Sequence, residues 1–509
     1  MHKMDIFIYT ILALLGLIYL FKAKKSKGKT IPGPPGWPLL GNALEITEQN
    51  MPQKCFEYAK RFGPIVQLKL FNTNVVLLNS TEMLQKAMNG DPYKQFFNDR
   101  PGYFYGEHFL FGGQGVVVYK EGYGGVHSDL RKLLTKGLHV YGDGIKDFED
   151  LIISELRNLV KKIEKLENKE FEFINTIKMS LSNLLSILLI GESLDEDDDD
   201  INLLWEFNML VVFMYTAKPD AMYSKFPFIR YLPGTYKEKY QKMVRTRRRM
   251  IDRYYTKVKE NHKPGNTRGL VHVLLEERNQ ELENAPDNVI LTEERLISVV
   301  LEMVVAGLLT TLCSLSSMML CLMSHPECQK RVQKEIDDVI GKDRLPTVDD
   351  RINCNYMEAV AMEVQRLITI IPLSAPHICR PNLQFEGYDI PANSLVLPNL
   401  NFIHHDEKIW GPDAWEFKPE RFLDENGDII PRTHVYRRNW VPFSTGRRQC
   451  LGDTLSRTRL FLYTATLFQR WTFIPSPGKY GSCDTRSGDF EINAATLPKE
   501  FYCRVEKRV

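Results

Sequence analysis

One cysteine in this sequence stands in surroundings that suit a reactive thiolate. The segment "PFSTGRRQCLGDTLSRTRLFLY", residues 442–463, places Cys450 between Gly446 and Gly452 and close behind a pair of arginines. No Gly or Pro occurs from Asp453 to Ile474, so we predict a helix that begins just after the cysteine. The positive end of its dipole favours a thiolate. The two glycines let the backbone turn tightly and approach a flat or bulky group.

Because Cys450 has no second cysteine nearby in the sequence, few metal sites could use it as a ligand. A buried structural cysteine is the simplest alternative, because free Cys is among the most buried residue types. Zinc needs Cys or His ligands at short spacing, and the next cysteines in sequence are Cys379 and Cys483. Haem iron accepts one proximal thiolate, and that ligand favours cleavage of an O–O bond. Haem therefore suits a lone Cys450 better than zinc does.

Five residues around the cysteine fit a longer pattern. Phe443, Gly446, Arg448, Cys450 and Gly452 match F-x-x-G-x-R-x-C-x-G, and the segment thereby resembles the haem-ligand signature of the cytochrome P450 family. The resemblance implies haem b (iron protoporphyrin IX) as cofactor and Cys450 as its axial iron ligand. It also implies that Phe443 packs beside the sulfur and that Arg448 neutralises a haem propionate.

A long apolar segment predicts one helix from Thr292 to Ser324. Two glutamates stand in its first turn, and Pro326 follows its end. Because Glu302 is the only charged residue between Leu296 and Met323, the segment could be a membrane-spanning helix or a core helix that is buried on all sides. The resemblance to the family favours the core helix.

The same segment is similar to the family's oxygen-binding groove, A-G-x-(D/E)-T-T. Ala306, Gly307, Thr310 and Thr311 fit that pattern, and Leu309 stands where the family has an acid. The resemblance implies that the small residues make room above the iron and that the threonine hydroxyl orients dioxygen and its water. Leu309 puts the delivery of protons in doubt.

Three charged residues are candidates for a structural cluster. Glu363 and Arg366 lie three apart on a predicted helix whose apolar stripe is Met357, Val360, Val364 and Leu367. An isolated pair of this kind is usually a surface ion pair that contributes little. Here the pair resembles the family's E-x-x-R, and Arg421 in "FKPERF" matches its partner segment. The resemblance implies a buried triad.

Further basic residues match positions that hold the haem propionates in the family. These are Arg100 in "NDRPGYF", Arg131 in "VHSDLRKLL" and His377 in "PLSAPH". His127 stands where the family usually has Trp. Its side chain can donate a hydrogen bond to a propionate, and an exposed loop histidine is the alternative.

The composition bounds the protein class. The chain has 509 residues, 43% of them hydrophobic, with no Gly/Ser linker or internal repeat, and we expect one large domain behind a short anchor. The formal net charge of +2 argues against a nucleic-acid partner. Nine scattered cysteines, an odd number, indicate a reducing compartment rather than a disulfide framework.

The N-terminus predicts a membrane anchor. Residues 1–21 contain an apolar run, and several lysines follow it rather than a small-residue cleavage site. We therefore expect a signal anchor instead of a cleaved signal peptide. Residues 22–42 are basic and then rich in Pro and Gly, which indicates a stiff hinge. Residues 43–509 would form the catalytic domain. We expect a single-pass protein of the endoplasmic reticulum membrane with this domain on the cytosolic side.

Three other segments have simpler interpretations. The acidic run at 194–200 predicts a solvated loop, and the basic run at 245–250 predicts one face of a surface helix. The apolar, proline-broken segment at 226–234 resembles the loop that members of the family insert into the membrane.

The resemblance covers nearly the whole chain and is closest to animal microsomal members that act on steroids and foreign compounds. We expect a mostly α-helical haem-thiolate fold with small β-sheets, preceded by the anchor helix. The implied activity inserts one atom of dioxygen into a lipophilic steroid, lipid or xenobiotic. Electrons come from NADPH through a flavoprotein reductase, with cytochrome b5 as a further partner. Two alternatives remain open: a haem-thiolate isomerase or dehydratase acting on a peroxide, and a non-enzymatic haem carrier.

Overall fold

The computed structural model describes residues 28–47, 49–121, 125–140, 145–195 and 198–508. The predicted anchor, residues 1–21, and the first part of the hinge lie outside the described residues. The helices before the long central one are α1 Met51–Phe62, α2 Thr81–Asn89, α3 Lys94–Phe97, α4 Phe104–Phe109, α5 Gly125–Val140, α6 Ile145–Glu164, α7 Phe173–Ile190, α8 Asp199–Tyr215, α9 Ala217–Lys225, α10 Thr235–Ile251, α11 Lys257–Glu260 and α12 Leu270–Asn284.

The central helix and those that follow it complete the helical part. They are α13 Glu293–Ser324, α14 Pro326–Val339, α15 Asn355–Ile368, α16 Leu400–His405, α17 Glu407–Trp410, α18 Val435–Asn439 and α19 Asp453–Arg470. Short 3₁₀ turns lie at Pro227–Arg230, Pro286–Asn288, Val348–Asn353 and Pro419–Phe422, and Asp252–Thr256 forms a π-helical turn.

The strands form small sheets at the edges of the helical body. They are β1 Ile65–Leu70, β2 Thr73–Leu78, β3 Phe171–Glu172, β4 His377–Cys379, β5 Leu383–Phe385, β6 Tyr388–Ile390, β7 Ser394–Pro398, β8 Trp471–Pro475, β9 Phe490–Ile492, β10 Thr496–Pro498 and β11 Tyr502–Lys507. One sheet has the order β1-β2-β7-β4, in which only β2 and β7 are parallel. The other sheets have the orders β3-β11-β8, β9-β10 and β5-β6. The predicted class, mostly α with small sheets, is confirmed.

Helix α13 is a core helix. It begins as predicted, because the Thr292 side chain caps it by accepting a hydrogen bond from the backbone N–H of Arg295. It packs against α7, α15, α19 and β10. Both α7 and α13 are long and apolar enough to span a bilayer, yet most of each helix is buried inside the protein. This burial favours the core interpretation over a second membrane span.

Helix α19 ends earlier than the sequence predicts. The absence of Gly and Pro suggested a helix through Ile474, which is wrong: α19 stops at Arg470, and Trp471–Pro475 forms strand β8. The residues Trp471, Thr472 and Phe473 alternate between buried and partly exposed as they pair with β11. Aromatic and β-branched residues suit such a pleated surface, and pairing with a distant strand decided the outcome.

The acidic and basic runs bind each other. Asp198 caps α8, and the described acidic residues after it lie in the first turn of that helix rather than in a loop. Asp199 Oδ2 lies 2.6 Å from Arg249 Nη2, and Asp200 Oδ2 lies 2.5 Å from Arg253 Nε. The basic run does lie on a helix, α10, as expected. The two runs therefore stabilise the packing of α8 on α10 instead of facing only solvent.

Candidate functional site: a thiolate and a cluster of buried bases

Cys450 lies on a tight loop immediately before α19. Its backbone N–H donates to the carbonyl of Phe443 at 3.1 Å, which closes the loop. Gly446 has a φ of +85°, and a Cβ there would lie 2.9 Å from Met88 Cβ, so a side chain would be strained and crowded. All nine cysteines are free thiols, and among them Cys450 alone is exposed. A buried structural role therefore does not describe it.

Opposing influences act on the pKa of the Cys450 thiol. The surrounding protein mass desolvates Cys450 and raises its pKa, although the backbone N–H of Gly452 and the charge of Arg131 act in the opposite direction. Binding of a cation such as iron would favour the thiolate, because metal coordination deprotonates a thiol.

Arg448 is buried, and each of its three nitrogens donates to a backbone carbonyl. Its Nε donates to the carbonyl of Asn98 at 2.9 Å, and Nη1 donates to that of Val116 at 3.0 Å. Nη2 donates to the carbonyl of Tyr119. Arg448 thus connects the Cys450 loop to the segments on either side of α4.

His127 and Arg131 lie on α5, beside the same loops. His127 is buried, and its Nε2 lies 3.2 Å from the carbonyl oxygen of Val116, the acceptor that it shares with Arg448. Arg131 donates from Nη2 to the carbonyl of Gln449 at 2.7 Å. The alternative of an exposed loop histidine is therefore wrong for His127.

Arg100 and His377 each carry a buried nitrogen that the described residues leave without a hydrogen-bond partner. Arg100 donates from Nη1 to the carbonyls of Ala375 and Pro376, at 2.6 and 2.8 Å. Its Nε and the Nδ1 of His377 are buried and have no hydrogen-bond partner among the described residues. Such groups cost free energy unless a partner satisfies them.

These basic groups repel one another. The pKa of Arg448 falls to about 9, mainly through desolvation and then through the nearby Arg100. Desolvation also lowers the pKa of His377 and takes that of His127 to about 3, with neighbouring arginines adding to both effects. A buried group with two negative charges would relieve this repulsion and satisfy the unused donors. The residues present fit a haem with its two propionates.

The threonines of α13 are bonded to their own helix. Thr310 Oγ1 donates to the carbonyl of Ala306 at 2.6 Å, and Thr311 Oγ1 donates to that of Gly307 at 2.9 Å. Ala306 is exposed and Thr310 is half-exposed, whereas Thr311 is buried. Thr310 therefore has the more accessible hydroxyl, which must leave Ala306 before it donates elsewhere.

Glu302 is a functional candidate that sequence reasoning left unused. Its buried carboxylate accepts the backbone N–H groups of Val117 and Val118 at 2.9 and 3.0 Å. Desolvation raises its pKa to about 7. The available signal was its position as a lone charge in a long apolar segment. Glu302 fastens the loop that also supplies the carbonyl of Val116 to Arg448 and His127.

Glu363, Arg366 and Arg421 come together in a buried cluster. Arg366 binds both carboxylate oxygens of Glu363, at 2.7 and 2.8 Å, and both side chains are fully buried. Arg421 Nε lies 3.3 Å from Glu363 Oε1 and its Nη1 lies 2.9 Å from Asp413 Oδ1. Arg366 also donates to the carbonyls of His404 and Ala414. The cluster joins α15 to the loop that leads towards Cys450.

No zinc-like ligand set competes with this interpretation. Within the described ranges, no three His, Cys, Asp or Glu side chains are grouped so that they could hold a metal ion. A single free cysteine, on a loop that is bonded to buried basic side chains, suits the one proximal thiolate ligand of a haem iron.

Comparison with known proteins identifies the family. The family model for cytochrome P450 matches residues 31–495. The chain is 28% identical over 463 residues to the steroid 17-alpha-hydroxylase/17,20 lyase of Squalus acanthias, covering 90% of this chain and 89% of the relative. It is 31% identical over 470 residues to cytochrome P450 2F3 of Capra hircus, covering 91% and 92%. Cytochrome P450 2J2 of Homo sapiens is 29% identical over 492 residues, covering 96% and 94%.

The chain belongs to the cytochrome P450 family. It is a haem-thiolate oxidoreductase of the monooxygenase class, as its relatives are. The predicted family is therefore confirmed.

Proposed function

We propose that this protein inserts one atom of dioxygen into a lipophilic small molecule, a steroid, lipid or xenobiotic, with haem b as cofactor. The observation that carries the proposal is the position of Cys450 on a loop held by a buried basic cluster whose donors are partly unused. The relatives support the substrate class, since one is named as a steroid hydroxylase. When bound, the haem supplies the oxygen activation that side chains cannot perform.

Each group of residues has a separate task in this proposal. Cys450 binds the iron, and Arg100, Arg448, Arg131, His377 and His127 hold the propionates. Phe443 packs beside the sulfur, while Gly446 and Gly452 permit the close approach of the loop. Ala306 and Gly307 leave space on the opposite side, and Thr310, supported by Thr311, moves protons through its hydroxyl. Glu363, Arg366 and Arg421 hold the loop in place.

Proton delivery is the unusual step. Leu309 can neither hold nor donate a proton. Thr310 must therefore rotate away from Ala306 and work with ordered water, which can bridge polar groups in a roomy polar site. We expect poor coupling, with much of the reduced oxygen lost as peroxide.

Electrons come from NADPH through a flavoprotein reductase, with cytochrome b5 as a second donor. The reductase would dock on basic residues beside the Cys450 loop, which are Lys132, Lys136 and Arg447. Lys132 is 3.2 Å from Asp129, and Lys136 is 2.5 Å from the Glu277 carboxylate, so these two charges are partly neutralised. Arg447 is exposed and donates to Ser128. Charge reversal at these three residues should slow reduction, and less so at high salt.

An apolar surface supports a place on the endoplasmic reticulum membrane. Phe226, Phe228, Tyr231 and Leu232 lie on the segment before α10 and are exposed. Exposed apolar side chains at this density mark a binding surface rather than ordinary solvent contact. Together with the anchor at residues 1–21 they would hold the cytosolic domain against lipid, from which lipophilic substrates enter.

Leu309 also favours a second candidate, an isomerase or dehydratase that rearranges a peroxide without external electrons. Reconstitution with reductase and NADPH, in parallel with an organic hydroperoxide alone, separates the two. If the protein is a monooxygenase, substrate oxidation should require NADPH. Thr310→Ala should then lower the amount of product formed per NADPH consumed. Leu309→Asp should raise that ratio, and Ser314→Ala, one turn further on the same helix, should leave it unchanged. Rapid hydroperoxide turnover with no dependence on NADPH would favour the isomerase.

A further inference from the structure

The buried side chain of Arg459 contacts α13, the helix that carries the segment from Ala306 to Thr311. Arg459 on α19 is 3% exposed, and its Nη1 donates to the carbonyl of Gly307 at 3.3 Å. That carbonyl is also the acceptor for Thr311 Oγ1 at 2.9 Å. A guanidinium therefore contacts the backbone of the groove between Ala306 and Thr310. The resemblance to the family singled out Gly307 but not Arg459.

Arg459 stands at one end of a line of buried polar side chains that runs from α19 to α7 and α6. Its charge acts on Tyr463, one turn further along α19. The Tyr463 hydroxyl lies 2.8 Å from the Ser180 hydroxyl on α7, and Ser180 in turn bonds the carboxylate of Glu155 on α6. Glu155 also accepts a hydrogen bond from Asn183. The line thus sets a buried cation at the groove and a buried carboxyl group at its far end.

Burial of the Arg459 guanidinium costs free energy in the folded protein. Desolvation lowers the pKa of Arg459 to about 10 and raises that of Glu155. An apolar side chain of similar volume in place of a buried ion is often neutral or stabilising for a fold.

A fixed positive charge at this position has two physical effects. A charge-assisted hydrogen bond is stronger than a neutral one, so it holds the Gly307 carbonyl when the Thr311 hydroxyl turns away. In a low-dielectric interior, a nearby cation also stabilises any group that gains an electron. Both effects act on the groove without contact between Arg459 and a substrate.

We propose that Arg459 is a positioning residue of the oxygen groove, which holds the Gly307 carbonyl and whose charge favours the reduced state of the bound haem. This inference rests on the proposed function, because it requires that haem occupy the space between α13 and the Cys450 loop.

The test is a redox titration of the purified holoprotein with Arg459→Met, Arg459→Lys and a control, Arg508→Met. Arg508 donates to the carbonyl of Phe468 near the far end of the same helix, at 2.7 Å, and also pairs with Asp337. The control thus removes a positive charge and a backbone contact at a distance from the groove. Urea unfolding of each variant reports whether the fold is intact.

We expect Arg459→Met to shift the midpoint potential to a more negative value, so that the ratio of reduced to oxidised protein at a fixed applied potential falls about tenfold. Arg459→Lys should restore most of the potential, and Arg508→Met should match the wild type. Stability should be unchanged or higher in Arg459→Met, which a purely structural role would not produce.

Three outcomes decide the matter. A midpoint potential in Arg459→Met equal to that of Arg508→Met overturns the inference while the proposed function stands. A second result also overturns the inference. In that result, Arg459→Met loses stability that Arg459→Lys does not restore. The midpoint potential is also unchanged in Arg459→Lys and in the milder Arg459→Gln variant. A wild-type chain that binds no haem overturns the proposed function, and this inference with it.

Discussion

The carboxyl group of Glu302 fills the space that a side chain at residue 115 would need. A Cβ on Gly115 would lie 2.3 Å from Glu302 Cδ and 2.4 Å from both carboxylate oxygens. The carboxylate instead accepts the N–H groups of Val117 and Val118. The loop between α4 and α5 is therefore fastened to the groove helix by one buried carboxyl group.

Gly115→Ala should destabilise the protein by about 1–3 kcal/mol, because either the carboxylate or the loop must move. Gly106→Ala is the matched control, since its Cβ would meet Val118 at an ordinary 3.6 Å and it lies within α4. Urea unfolding measures both variants. Equal stability of the two variants would show that Glu302 does not hold the loop in place.

The stability of the protein should depend on pH through Glu302. Burial raises the pKa of this carboxyl from 4.5 to about 7, so the folded protein binds its proton more tightly than the unfolded chain does. The contribution of Glu302 to stability is therefore greatest below the unfolded pKa. It declines as the pH rises towards about 7 and stays constant above that value.

Urea unfolding of wild type and Glu302→Gln between pH 4 and 8 tests this dependence. The stability of the wild type relative to the variant should fall across the range by roughly 3 kcal/mol. A difference between the two proteins that does not vary with pH would contradict the raised pKa.

The triad at Glu363 should be the most sensitive ionic cluster in the chain. Glu363→Gln leaves Arg366 and Arg421 without their buried counter-charge, and we expect a loss of about 3–5 kcal/mol. Lys334→Gln removes an exposed pair with Asp338 and should cost less than about 0.5 kcal/mol. Thermal and urea unfolding measure both changes. A cost for Glu363→Gln as small as that of the exposed pair would argue against the buried cluster.

The unused donors of Arg100 and His377 should retain the cofactor. Arg100→Gln removes a buried charge that can pair with a propionate, so we expect haem to leave at least about tenfold faster. Arg380→Gln is the control, because Arg380 is half-exposed and pairs with Asp99 nearby. Transfer of haem to an excess of apomyoglobin gives the rates. Identical rates for the two variants would remove Arg100 from the haem site.

Local pattern predicted the parts of the fold that depend on local physics. The cap at Thr292, the length of α13 and the buried stripe of α15 follow from helical spacing and end signals. The start of α19 at Asp453 was predicted for the same reason. Its end was not, because Trp471–Pro475 becomes a strand only through pairing with β11, far along the chain.

The missed parts of the site depend on tertiary contacts. Glu302 is bonded to residues 117 and 118, nearly two hundred positions earlier in the chain, and Arg459 reaches Gly307 from another helix. The partners of the acidic run lie on α10 and on the π-helical turn that follows it, so each run alone resembled a solvated surface. The residues around Cys450 could be proposed from a short motif, whereas the roles of Glu302 and Arg459 could not.

The central claim is that Cys450 is the thiolate ligand of a haem iron. The most direct measurement is the absorption spectrum of the reduced, carbon-monoxide-bound protein, with Cys450→His and the half-buried Cys483→Ser as variants. We predict the strongly red-shifted Soret band of thiolate ligation in the wild type and in Cys483→Ser, and its loss in Cys450→His. A red-shifted band that persists in Cys450→His would contradict the assignment.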